Sequence, residues 1–87
     1  MERVVEYTLS AKEDINYFKT HRKVDTLKKI HQLIESIQQS PCEGIGKPEP
    51  LKYELAGCWS RRINKEHRLV YEVYKNKIFI IAAQGHY

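Results

Sequence analysis

The run Ile78-Phe79-Ile80-Ile81-Ala82-Ala83 carries no polar side chain, and an unbroken apolar segment this short is a buried strand. Such a strand cannot lie on a surface, so the rest of the chain must supply neighbours along its edges and a cover over it. Residues 58–64 and 68–74 read as two further strands, and the last extends over 77–84. Tight turns near Lys65-Glu66 and Lys75-Asn76 join the three into an antiparallel meander. Val4, Val5 and Tyr7 mark a short first strand, and residues 51–54 are a candidate for one more.

The cover comes from the N-terminal half. Ser10-Ala11-Lys12-Glu13 has capping-box spacing and predicts the start of a helix that carries Ile15 and Phe18. In a second helix Val24, Leu27, Ile30, Ile34 and Ile37 recur every three or four residues, which aligns them on one face, and Ser40-Pro41 ends it. The expected architecture is α+β, an antiparallel sheet with the two N-terminal helices packed on one face.

With 87 residues, 41% hydrophobic and 30% charged, the chain has the size and composition of one globular domain spanning 1–87. Its longest apolar run is far short of the roughly 20 residues of a membrane span, and Met1-Glu2-Arg3 does not open a signal-type segment. The expected location is the cytoplasm, with no membrane partner. Cys42 and Cys58 are too few and too far apart for a metal knuckle and are read as reduced structural thiols. No metal or cofactor is expected. The net charge of +4 favours a polyanionic partner. Its excess lies in the second half: from Lys47 to Arg68, Lys47, Lys52, Arg61, Arg62, Lys65 and Arg68 stand against Glu49, Glu54 and Glu66.

The loop over 41–51 holds three prolines and two glycines. Pro48 and Pro50 bracket Glu49 and push both Lys47 and Glu49 out of the helical region, so a stiff loop aims a carboxylate. Arg61, Arg62 and Arg68 flank one hairpin turn. Guanidinium groups bind phosphate oxygens through paired donors, and Arg68, which opens an apolar strand, is the best oriented of the three. For Arg61 the residues alone favour a surface cation that keeps the sheet soluble. His86 and Tyr87 follow the apolar strand after only Gln84 and Gly85. An imidazole and a phenol there read equally well as a site or as the end of a strand.

A carboxylate, an imidazole, a guanidinium, an ammonium and a phenol match metal-free RNA cleavage. In that reaction a base takes the ribose 2′-OH proton, the oxygen attacks phosphorus, cations stabilise the phosphoryl charge and an acid protonates the 5′-oxygen. Spacing alone does not bring residues 49, 68 and 86 together.

Four stretches carry a family resemblance: Gly46-Lys47-Pro48-Glu49-Pro50-Leu51-Lys52, Trp59-Ser60-Arg61-Arg62-Ile63, Glu66-His67-Arg68-Leu69-Val70-Tyr71 and His86-Tyr87. In order and spacing they resemble the YoeB/Txe branch of the RelE superfamily of toxins, across nearly the whole chain. The resemblance implies a RelE-like toxin of a type II toxin–antitoxin system, a ribosome-dependent endoribonuclease that cuts mRNA and is silenced by a cognate antitoxin. It implies Glu49 as general base, His86 as general acid, Arg68 as transition-state stabiliser and Tyr87 as the residue that orients substrate. Lys52 and Arg62 assist, and with Lys47 and Arg61 they form the RNA-binding set. The partners implied are the antitoxin, the ribosome with its mRNA, and a second copy in a homodimer. Two alternatives stand beside this reading: a noncatalytic, ParE-like gyrase inhibitor and a plain ribosome- or RNA-binding module. Trp59 is read as core, Tyr53, Tyr71 and Tyr74 as core or rim, and His67 as structural or solvent-facing with a lesser chance of a place near the site.

Overall fold

A computed structural model describes residues 3–85. Strand β1 (Val4–Tyr7) leads into helices α1 (Leu9–Thr20) and α2 (Val24–Gln39). A loop then reaches β2 (Glu49–Pro50), a 3-10 turn (Tyr53–Leu55) and strands β3 (Cys58–Arg62), β4 (Arg68–Val73) and β5 (Lys77–Ala82). The five strands form one sheet in the order β1-β5-β4-β3-β2. The β3, β4 and β5 meander is antiparallel as expected, and β2 pairs antiparallel with β3. The apolar run is thus central, with a strand on each side.

β1 departs from the antiparallel expectation. It lies parallel to β5, with Val5 opposite Ile78 and Tyr7 opposite Ile80, so the sheet is mixed. Both helices separate β1 from its partner in sequence, and without a tight turn between two strands the local residues do not set their direction. The extra strand is also displaced, to Glu49–Pro50 rather than 51–54. Tyr53 has φ +60, which ends extended structure and starts the 3-10 turn instead.

Alternation across the pleat sorts the side chains. Leu69, Tyr71, Ile78 and Ile80 face the helices and join Ala11, Phe18, Ile30, Leu33 and Ile37 in one core, with Trp59 and Val73 packed at its edge. α2 presents its apolar face as expected, except that Val24 is exposed and Leu33, on the same stripe, is fully buried. Tyr71 belongs to the core, while Tyr53 stands in solvent.

α1 begins earlier than its capping-box spacing predicts. Thr8, not Ser10, is the N-cap: its hydroxyl accepts from the Ala11 amide at 3.0 Å and donates to the Ile81 carbonyl at 2.7 Å. One side chain therefore closes the helix end and ties it to the central strand. Thr8→Ala is expected to lower stability by about 1–2 kcal/mol in urea denaturation, whereas Ser10→Ala, on an exposed first turn, is expected to stay within about 0.5 kcal/mol.

Candidate functional site

The helix-free face of the sheet carries the predicted carboxylate and guanidinium. Glu49 on β2 sits opposite Ser60 on β3, Ser60 sits opposite Val70 on β4, and Arg62 sits opposite Arg68. Arg68 lies two residues along β4 from that row, so its side chain projects from the same face as Glu49. Across the intervening β3 strand Arg68 Nη1 comes to 3.9 Å from Glu49 Oε2. The two partners differ in burial: the arginine side chain is 19% exposed and the carboxylate 61%. An oriented cation thus stands beside a solvated, accessible base, at a separation that leaves both groups free to contact a third.

Further cations flank β2 in sequence or pair with β4. Lys47, Lys52 and Arg62 are all exposed. Lys47 has φ +51, outside the right-handed helical region but left-handed rather than in the extended region that a following proline favours, and Gly46 before it is pinned by a 2.6 Å bond from the Arg62 amide to its carbonyl. Gly46 has φ +83, and a Cβ there would stand 2.6 Å from Leu33 Cδ2, so only glycine fits this approach of loop to helix. A cleft of about 430 Å³ opens between α2 and the end of β3. Four cations line it (Lys29, Lys47, Arg62 and Lys65), with no carboxylate among its lining residues. Lys29 went unnoticed in the sequence because helix periodicity marked its apolar neighbours Leu27 and Ile30. Its place at the flank of that stripe was the available signal.

Arg61 is not part of this surface. Its side chain is fully buried on the helix side of the sheet, so neither the solubilising reading nor the RNA-contacting one holds. All five guanidinium N–H groups are used. Nε donates to Tyr71 Oη at 3.1 Å, Nη1 to Ser36 Oγ at 2.7 Å and the Ile45 carbonyl at 3.1 Å, and Nη2 to the carbonyls of Ser40 at 2.6 Å and Glu43 at 2.7 Å. Tyr71 in turn donates to the Pro41 carbonyl at 2.7 Å, and burial pushes its phenol up from the ordinary value. Arg61 and Arg62 are adjacent, so the pleat turns one inward and the other outward.

His86 and Tyr87 lie outside the described residues. The segment that leads to them is held at several points. The Ala83 amide donates to Asp14 Oδ2 at 3.0 Å, the Gly85 carbonyl accepts from the Arg68 amide at 3.0 Å, and the Gly85 amide donates to His67 Nδ1 at 3.0 Å. The chain therefore leaves the sheet beside Arg68.

A family model described as the YoeB-like toxin of bacterial type II toxin-antitoxin systems matches residues 7–87. The chain belongs to the YoeB-like toxins. Toxin YoeB of Synechocystis sp. is 56% identical over 61 residues, covering 70% of this chain and 71% of the relative. A solved YoeB dimer from Staphylococcus aureus superposes with a TM-score of 0.90 at 45% identity, over the full length of both chains. The toxin of a YoeB-YefM complex from the same organism does so with a TM-score of 0.87, again at 45% identity and full coverage.

In this YoeB-like toxin both cysteines are free. Cys42 is exposed, while burial and the neighbouring Glu72 push the Cys58 thiol up, which disfavours its reactive thiolate. Among the described residues no helix is long and apolar enough to cross a membrane.

The two neighbouring arginines are expected to separate in a stability assay. Arg61→Ala takes the guanidinium donors from the Ser40, Glu43 and Ile45 carbonyls and should cost on the order of 3–5 kcal/mol in urea denaturation. Arg62→Ala should change stability by no more than about 0.5 kcal/mol.

Proposed function

We propose that this toxin is a ribosome-dependent endoribonuclease that cleaves mRNA with side chains alone. The observation that carries the reading is the pairing of an accessible Glu49 carboxylate with the oriented Arg68 guanidinium on an open face bordered by cations. Glu49 takes the proton of a ribose 2′-OH, and the freed oxygen attacks the adjacent phosphorus. Arg68 donates to the nonbridging oxygens as their charge grows. His86 protonates the departing 5′-oxygen, and Tyr87 orients the nucleotide. The bond from phosphorus to the 5′-oxygen breaks as the bond to the 2′-oxygen forms, leaving a 2′,3′-cyclic phosphate and a 5′-OH. Lys47, Lys52 and Arg62 hold flanking phosphates as point and forked charges.

The regulatory partner in this reading is a separate antitoxin chain, as in the YoeB-YefM complex of the Staphylococcus aureus relative. A flexible acidic segment of such a partner suits the basic face, since a disordered chain wraps a large surface on folding. Self-association into a homodimer is the second assembly proposed, in line with the solved YoeB dimer.

The test is cleavage of mRNA programmed into ribosomes, with product ends mapped, for wild type beside Glu49→Gln and His86→Gln. Wild type should yield cyclic-phosphate and 5′-OH ends, and each variant should be slower by about 10²–10⁴-fold while melting like wild type. Wild-type rates in both variants would overturn the mechanism. Absence of any cut by wild type would remove the enzymatic reading.

A further inference from the structure

We propose that His67 is a positioning residue for the acid end of the site. Its neutral imidazole grips the Gly85 amide and fixes the point from which the chain continues to His86. The inference rests on the reading of His86 as the general acid.

The imidazole is an acceptor by construction. A backbone N–H only donates, so the 3.0 Å contact from Gly85 requires a lone pair on Nδ1 and places the ring proton on Nε2. The residue itself is held through its backbone and its ring. Its amide donates to Asn64 Oδ1 at 2.8 Å, its carbonyl accepts from the Ile63 and Asn64 amides at 3.0 and 3.3 Å, and its ring stands edge-on to Phe18 with centroids 5.1 Å apart. A ring fixed in this way is a rigid post rather than a surface side chain that happens to meet the tail.

The held residue is also singular. Gly85 has φ +98, a conformation that side-chain-bearing residues rarely adopt, and both its amide and its carbonyl are engaged, by His67 and by the Arg68 amide. The same Arg68 extends its guanidinium toward Glu49. Two consecutive residues therefore register the segment before His86 against the base and the phosphate-binding cation. A sheet end needs no such double clasp merely to terminate. The clasp fits a need for placement within a fraction of an ångström, which acid–base geometry imposes.

A ring with its proton on Nδ1 would set donor against donor at the Gly85 amide. The titratable groups that share the small cavity beside the ring are Tyr17 from α1, Lys23 just before α2 and Glu66 in the turn, with Phe18, Thr26 and Asn64 completing its lining. On the other face of β4, Arg68 points toward Glu49.

Two complementary substitutions test the role. His67→Asn retains an acceptor at the Nδ1 position and loses the aromatic contact, while His67→Phe keeps the contact with Phe18 and loses the acceptor. In glycine-selective ¹⁵N spectra the Gly85 amide should stay protected from exchange in wild type and in His67→Asn and lose protection in His67→Phe. On ribosome-bound mRNA, His67→Phe should lower kcat by at least about tenfold with KM little changed, and His67→Asn should recover most of the loss. An unaltered Gly85 amide or an unaltered kcat in His67→Phe would overturn the proposal. Cleavage that survives His86→Gln would instead defeat the acid assignment, and the positioning role with it, while the amide measurement would still report the His67 bond by itself.

Discussion

The buried guanidinium of Arg61 is the constraint on which the site's geometry depends. No carboxylate lies among its recorded partners. Its charge is spread over four carbonyl or hydroxyl groups from α2 and the following loop, plus the phenol of Tyr71. Removing an ion from water costs several kcal/mol even after relaxation, so such a group is tolerated only when every donor is satisfied. Here five donors meet five acceptors. The arrangement is correspondingly unforgiving: the acceptors come from Ser36, Ser40, Glu43 and Ile45, so the loop after α2 has one conformation that satisfies the arginine. That loop leads through Gly46 and Lys47 to Glu49, and the buried charge thereby fixes where the exposed carboxylate emerges.

The opposite end of the site is set by smaller means. β5 is tied to α1 through Thr8 and Asp14, and the chain beyond it is taken up by the backbone of Arg68 and the ring of His67. Arg68 is common to both halves, its amide on the C-terminal segment and its guanidinium near Glu49. A residue whose backbone and side chain serve different partners cannot shift toward one without disturbing the other. The sheet register, through the pairing of Arg62 with Arg68 and Ser60 with Val70, then supplies a rigid frame of the kind the proposed acid–base chemistry requires.

Much of this frame was legible in the residues, because hydrophobic period is a strong signal where one face is buried. The meander and the helix pair followed from apolar runs and turn residues, whereas the approach of Arg68 to Glu49 was implied only by the family resemblance and not by spacing. What was not legible has identifiable causes. β1 runs parallel because its partner is chosen by the path of two helices, not by a local turn. Thr8 outcompetes Ser10 as N-cap because its hydroxyl also bonds Ile81, a tertiary partner invisible to a capping pattern. Leu33 was passed over although it lies on the stripe of Ile30 and Ile37, and Lys29 was hidden beside that same stripe.

Arg61 is the instructive failure. Two adjacent arginines in a basic stretch invite one assignment, yet a strand separates neighbours onto opposite faces, and register decides which of them meets solvent. Trp59 and Ile63, two residues away on either side, are apolar and share the inward parity of Arg61. That pattern argues for an inward arginine once polar acceptors are available beneath it, and the loop of prolines and glycines after α2 is the source of such acceptors, since its carbonyls have no ladder to join. The basic charge of the second half therefore divides into two kinds, one cation that builds the loop from within and a set of outward cations that the loop and the sheet hold at the site.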